Sequence, residues 1–145
     1  MTFWEGIFTN KAITLPIISW FIAQLYKFLY HLLVNNKIDF KRFVSSGGMP
    51  SSHSAISVCL ASVLGMRYGF DSGYFALAVI LAFVVMADAA GVRRAAGKQA
   101  EVLNRLVNSS KNFRLEKDLK ELLGHTPVQV FIGAALGIFI AVIFA

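Results

Sequence analysis

Long apolar runs separated by short polar breaks dominate the chain, and they predict helices that cross a membrane. The four runs cover residues 12–34, 54–69, 73–90 and 128–145. At about 1.5 Å per residue, the first run is long enough for a hydrocarbon core about 30 Å thick, whereas the second is rather short. Aromatic side chains at helical spacing in residues 1–10 predict a further short helix in the headgroup region. The pattern therefore predicts an all-α integral membrane bundle of about four transmembrane helices.

The composition supports the same class of protein. The 145 residues are 57% hydrophobic and 15% charged, with a mean hydropathy of +0.63. A soluble domain of this size is less apolar. The only cysteine, Cys59, lies inside an apolar run, which excludes a disulfide framework or a cysteine metal site within one chain. We expect a single membrane-embedded domain over residues 1–145.

The distribution of basic residues predicts the orientation. Residues 91–125 contain eight Lys and Arg and residues 35–53 contain three, whereas the outer turn has only Arg67 and the N-terminal segment only Lys11. By the positive-inside rule, both long loops are cytoplasmic in a multi-pass protein of the cell membrane, and both termini are outside. Because residues 95–107 keep a helical apolar spacing, the loop between the third and fourth spans is expected to be helical.

A glycine-rich turn precedes the second span and has the pattern of an anion site. Gly47 and Gly48 allow a tight turn, Pro50 favours a helix start, and Ser51 is a natural N-cap. The unpaired amides and the dipole of a helix start suit a phosphate group, and His53 lies in that first turn. The alternative is an ordinary capped helix with a surface histidine.

Two patterns inside the spans indicate contacts within the bundle. Gln24, Lys27 and His31 recur at three and four residues, so they share one helix face. A lysine in a span normally faces the bundle or a wet cavity, although Lys27 is close enough to the helix end to reach the interface instead. Gly133 and Gly137 form a small-xxx-small pair, which is typical of close helix packing.

Three stretches together resemble a known family. They are Gly-Gly-Met-Pro-Ser-Ser-His-Ser at 47–54, Asp-Ala-Ala-Gly-Val-Arg-Arg at 88–94 and Gly-His-Thr-Pro-Val-Gln-Val at 124–130, and Ala23-Gln24 with Lys27 also fits. The chain resembles, over nearly its whole length, the divergent small branch of the type 2 phosphatidic acid phosphatase superfamily, whose relatives include vanadium haloperoxidases. The resemblance implies a membrane-embedded phosphatase.

The superfamily's motifs are a Lys and Arg pair, a Pro-Ser-Gly-His, and a Ser-Arg followed by a His and, four residues on, an Asp. Residues 50–53 match the second motif, with Ser52 in place of the glycine. His125 matches the nucleophilic histidine of the third. Gln129 stands where the acid is expected, so the resemblance implies a slow enzyme in which an amide orients His125.

The resemblance also implies cationic partners for the phosphate. Lys27 and Arg42 are the candidates for the first motif, although their spacing differs from the superfamily pattern. Arg93 or Arg94 takes the place of the arginine of the third motif, across a much longer loop than usual. The alternative is that both arginines anchor a helix to anionic headgroups.

These residues imply a defined chemistry. His125 would attack phosphorus to give a phosphohistidine, and His53 would protonate the leaving oxygen. The cations, with the amides near Ser51 and Ser52, would hold the phosphate oxygens, and neither a metal ion nor another cofactor is expected. Asp88 either pairs with an arginine or orients a histidine.

The expected partners follow from this chemistry. The substrate would be a lipid phosphate among membrane lipids, with no nucleic acid, and four short helices favour a homodimer. The second hypothesis is a non-catalytic membrane protein that binds or moves phosphate-bearing lipids. Vanadate-dependent peroxidase chemistry is a weaker third.

Overall fold

The computed structural model describes residues 2–35, 47–109, 119 and 123–145, and the candidate Arg42 lies outside them. The described residues form helices, turns and loops, with no strand among them, which confirms the predicted all-α class. The helices are α1 (Phe3–Thr9), α2 (Lys11–Asn35), α3 (Ser52–Tyr68), α4 (Gly73–Ala90), α5 (Val92–Ser109) and α6 (Pro127–Phe144).

Three helical stretches of the described chain are long and apolar enough to cross a membrane. They are Lys11–Val34, Gly73–Ser109 and Pro127–Phe144, the second of which joins α4 to α5. Helix α3 has 17 residues and packs against α2, α4 and α6. Because its neighbours cover it, α3 carries small and polar buried side chains where the outer helices expose large apolar ones. The result is a helical membrane bundle with α3 at its centre.

Helices α3 and α6 approach each other closely enough for their backbones to touch. A Cβ added at Gly133 would overlap the carbonyl oxygen of Ser51, and one at Gly137 would overlap that of Ala55. Only glycine fits at either position, because any larger residue would push the two helices apart. The predicted close packing at the glycine pair is therefore confirmed.

The up-and-down course of the chain gathers three helix ends at one end of the bundle. The N-terminus of α3, the C-terminus of α4 and the N-terminus of α6 meet there, because Ser51 N–H donates to the Gln129 carbonyl at 3.0 Å and His125 N–H donates to the Ala89 carbonyl at 2.8 Å. At the opposite end, Lys11 Nζ donates to the Ala145 carbonyl at 2.9 Å. Residues distant in sequence thus converge at one end of the bundle.

Candidate active site

The loop before α3 fixes the position of His53. Gly48 has a φ of +88°, in the left-handed region that favours glycine. Ser51 caps α3, since its side-chain oxygen accepts a hydrogen bond from Ser54 N–H at 3.3 Å. His53 therefore lies in the first turn of a capped helix, as the sequence predicts.

The short segment before α6 holds His125. Gly124 has a φ of +81°, and a Cβ at this position would overlap the backbone of Arg94. His125, the next residue, donates its backbone N–H to the Ala89 carbonyl, as described above. The His125 side chain is consequently only 1% exposed, clamped between the end of α4 and the start of α6.

The rings of His53 and His125 lie next to each other. Their centroids are 6.0 Å apart, and their planes meet at 65°. His53 Nδ1 and His125 Nε2 are both buried and have no hydrogen-bond partner among the described residues. Because buried polar atoms are nearly always paired in folded proteins, two such nitrogens in neighbouring rings indicate a place for a ligand.

Gln129 fixes the tautomer of His125. Its Oε1 accepts a hydrogen bond from Thr126 N–H at 3.1 Å, within the capping box that begins α6. The same oxygen lies 3.3 Å from His125 Nδ1. A backbone N–H can only donate, so the Gln129 amide must turn its oxygen, not its NH₂, towards Thr126 N–H and His125 Nδ1. Nδ1 then carries the proton, and the unpaired Nε2 carries the lone pair.

The surroundings of His125 also keep the ring neutral. Burial, and after it the positive charge of Lys27, lower the pKa of His125 from its ordinary 6.5 to about 4. The hydrogen bond to Gln129 and a backbone contact with Gly48 raise that pKa and only partly offset the effect. At neutral pH the ring is therefore an unprotonated base with a buried lone pair.

Lys27 faces the interior of the bundle, one of its two predicted orientations. It is 7% exposed, and its Nζ donates to Gln24 Oε1 at 3.0 Å and to Ser52 Oγ at 3.3 Å. Its charge acts on both His53 and His125. The structure thus brings Lys27 and Ser52 to the two histidines, while Arg42 is outside the described residues.

The two adjacent arginines have different surroundings. Arg93 forms an ion pair with Asp88 through its Nε, so Asp88 pairs with an arginine, one of its two predicted roles. The charges of both residues also act on His53. Arg94 instead borders a cavity of about 240 Å³ that reaches His125 and Gln129. Of the two, Arg94 is the cation placed at the cavity.

The cavity has two charged wall residues that sequence reasoning missed. Lys98 and Glu101 border it, together with the glycines of the loop before α3. Helical spacing could have indicated Lys98, because Arg94 and Lys98 are four residues apart and share a face of α5. His53 and Lys27 do not border the cavity. No cluster of three or more His, Cys, Asp or Glu that could hold a metal occurs among the described residues.

Comparison with known proteins gives two matches. A family model described as "Divergent PAP2 family" matches residues 8–140. A protein of Bacillus subtilis (strain 168), named "Uncharacterized membrane protein YuiD", is 39% identical over 152 aligned residues, which cover 96% of each chain. No solved structure matches the chain.

Proposed function

The chain belongs to the divergent PAP2 family, and from that premise we propose that it is a metal-independent phosphatase acting on a lipid phosphate monoester. Family membership confirms the resemblance seen in the sequence and makes the chain a phosphatase-related membrane protein. We further propose that the reaction passes through a phosphohistidine and that the site lies on the cytoplasmic side of the membrane.

The first step is attack by His125 on the phosphorus. The Nε2 lone pair forms the P–N bond, and the bond between phosphorus and the lipid oxygen breaks. The negative charge of the bound phosphate favours the protonated form of His53. His53 then donates its proton to the leaving oxygen, so that an alcohol departs instead of an alkoxide. The product of this step is a phosphohistidine on His125.

Water completes the reaction. His53, now neutral, takes a proton from a water molecule that attacks the phosphohistidine, the P–N bond breaks, and inorganic phosphate leaves. Lys27, with Ser52, supplies positive charge and a hydroxyl beside the rings, and Arg94 supplies charge from the cavity wall. Arg93, paired with Asp88, adds charge beside His53.

One observation carries this proposal: the unpaired Nε2 of a buried, neutral histidine whose tautomer is fixed from the other side. A purely structural histidine would have both nitrogens paired. The test is phosphate release by the purified protein, in EDTA, from phosphatidate, phosphatidylglycerophosphate and isoprenyl phosphates. Release from at least one of them is expected. Saturable binding of these lipids without release would support the non-catalytic alternative instead.

Replacing Gln129 by glutamate is expected to raise turnover at neutral pH. A carboxylate would keep both hydrogen bonds of the amide oxygen and would also stabilise positive charge on the ring during attack. Because the tautomer is already fixed here, we expect a gain of roughly tenfold, well below the ~10⁴ lost when an orienting Asp becomes Asn in a serine protease. Initial rates on one lipid phosphate measure it. Gln129→Met, which offers no amide oxygen, is the matched control and should be slower than the unmodified protein. An unchanged or lower rate in Gln129→Glu contradicts the orienting role.

The acid limb of the pH profile reports on His125. A nitrophenyl phosphate ester needs little protonation of its leaving group, so its first-turnover burst of nitrophenolate isolates attack by His125 from the later hydrolysis. Since the pKa of His125 is lowered to about 4, the burst rate should stay level below neutrality and fall only near pH 4. Gln129→Glu raises that pKa through its charge and should move the limb to higher pH on the same substrate. A limb at the ordinary histidine value in the unmodified protein would contradict the buried, neutral nucleophile.

The proposed cytoplasmic location of the site is tested by labelling. Lys111, outside the described residues, belongs to the basic 91–125 loop. In a Cys59→Ala background, Lys111→Cys should react with an impermeant thiol reagent only after the cells are opened. A cysteine at Ser72, in the turn at the other end of the bundle, is the control and should react in intact cells. The reverse pattern would place the site outside.

A further inference from the structure

Helix α5 has one face that is already occupied by the site loops. Its buried residues are Gly97, Ala100 and Asn104, which lie three and four residues apart on one side. The Asn104 side chain donates to the Leu119 carbonyl and accepts from the Leu119 N–H, both at 2.9 Å. Together with the shared cavity walls, these bonds hold α5 alongside the site.

A second face of α5 is apolar and exposed. Leu106 is 61% exposed and Val102 is 56% exposed, although both are apolar enough for a protein core. Leu103 and Val92 lie beside them and are also exposed. No element of the described chain covers this face. A contiguous exposed apolar stripe of this kind is typical of an interaction surface.

The edge beside the apolar face is basic. Arg94, Lys98 and Arg105 are exposed along it, and Glu101, the only acid in the helix, forms an ion pair with Arg105. A shallow hollow of about 420 Å³ lies over Lys98, Gln99, Val102 and Leu103, so it joins the basic edge to the apolar face. Apolar side chains flanked by Lys and Arg are the pattern of helices that lie in the plane of a membrane interface.

We propose that α5 lies in the headgroup layer of the leaflet at the site end, with its apolar face among the upper acyl chains and its basic edge on anionic headgroups. Continuity supports a lipid partner, because α5 directly follows α4, whose apolar side chains such as Leu77 and Phe83 are exposed and which is long and apolar enough to cross a membrane. The helical path is interrupted at Gly91, with φ −103° and ψ −85°, where the chain changes from a spanning helix to an amphipathic one.

Charge favours a leaflet over a second copy of the chain. A symmetric partner on the apolar face would bring two copies of the same basic edge together, and like charges repel. Anionic headgroups instead neutralise that edge. The surface therefore fits a membrane containing phosphatidylglycerol better than it fits another copy.

This position of α5 has a consequence for how substrate enters the cavity, and that consequence rests on the proposed function. Arg94 and Lys98 belong both to the basic edge and to the cavity wall. With α5 in the headgroup layer, the cavity mouth lies at the level of lipid phosphates. A lipid phosphate can then enter from the leaflet without leaving it.

The test compares two nearby positions on α5. In a Cys59→Ala background, a cysteine at Leu106 or at Asn108 is labelled with the fluorophore NBD, and the full chain is placed in phosphatidylglycerol-containing vesicles. Lipids brominated high on their acyl chains should quench most of the emission at position 106, whereas iodide in solution should not. The matched label at position 108, on the polar side, should show the opposite response. The measurement needs no turnover, so it succeeds or fails independently of the phosphatase proposal.

Three results would overturn the inference. Iodide quenching at both positions would place α5 in water. Protection of position 106 that disappears when the protein is diluted into more lipid would mean that a second copy covers it. Equal bromolipid quenching in vesicles of pure phosphatidylcholine, with no effect of salt, would remove the role of the basic edge, because screening should weaken a headgroup contact.

Discussion

Alanine in place of His125 is expected to abolish phosphate release, with a loss of at least about 10⁴-fold in turnover. The reason is that no other described nitrogen lies beside His53 with a free lone pair in a fixed tautomer. The measurement is phosphate release under saturating lipid phosphate, together with trapping of a labelled intermediate. The phosphohistidine should form in the unmodified protein, survive alkaline quenching and be lost in acid.

The third histidine of the chain offers a matched control. His31 lies on α2 one turn beyond Lys27 and does not border the cavity, so His31→Ala should keep both turnover and the trapped intermediate. Vanadate, which adopts the five-coordinate geometry of the transition state, should inhibit the unmodified protein and His31→Ala alike. Undiminished turnover in His125→Ala would end the covalent mechanism.

The effect of His53→Ala should depend on the leaving group. Loss of a general acid lowers the rate by a factor of about 10²–10⁴ when the leaving oxygen must be protonated, as with a lipid alcohol. A nitrophenolate leaves without a proton, so its first-turnover burst should change little, although later hydrolysis of the phosphohistidine slows on both esters. The ratio of the two first-turnover rates, measured in one preparation, separates an acid from a structural histidine. Equal losses in the first turnover of both esters would show that His53→Ala damages the site as a whole.

The fold was predictable because apolar runs in a membrane protein are a strong signal. The predicted third span, residues 73–90, coincides with α4, and the fourth differs from α6 by one residue at each end. The central α3 was the weakest prediction, since a helix covered by its neighbours needs little apolar surface of its own. Its small and polar side chains shorten the apolar run that the sequence shows.

The site was predictable in its main residues but not in its arrangement. Charge bias indicated that His53 and His125 share one side, and a helical repeat placed Gln129 one turn beyond His125. The choice between Arg93 and Arg94 was not predictable, because neighbouring residues on a helix point about 100° apart and the sequence does not give the rotation of α5. Lys98 was missed for the same reason.

The tautomer depended on tertiary detail as well. An isolated glutamine amide can present either its oxygen or its NH₂ to a ring nitrogen. Only the capping box of Thr126 removes that freedom. The capping pattern is visible in the sequence, with a threonine three residues before a glutamine. Its effect on His125 depends on the contact between the ring and the amide, which only the structure shows.

The glycine contacts between α3 and α6 have a consequence for how the protein meets bilayers of different thickness. Gly133 and Gly137 lock the two helices backbone to backbone, and the Ser51–Gln129 hydrogen bond ties their ends. The two histidines follow those ends, so their separation belongs to one rigid pair. A thinner or thicker hydrocarbon layer is then accommodated by tilting the whole pair or by the outer helices. The spacing of nucleophile and acid is thereby insulated from changes in lipid chain length.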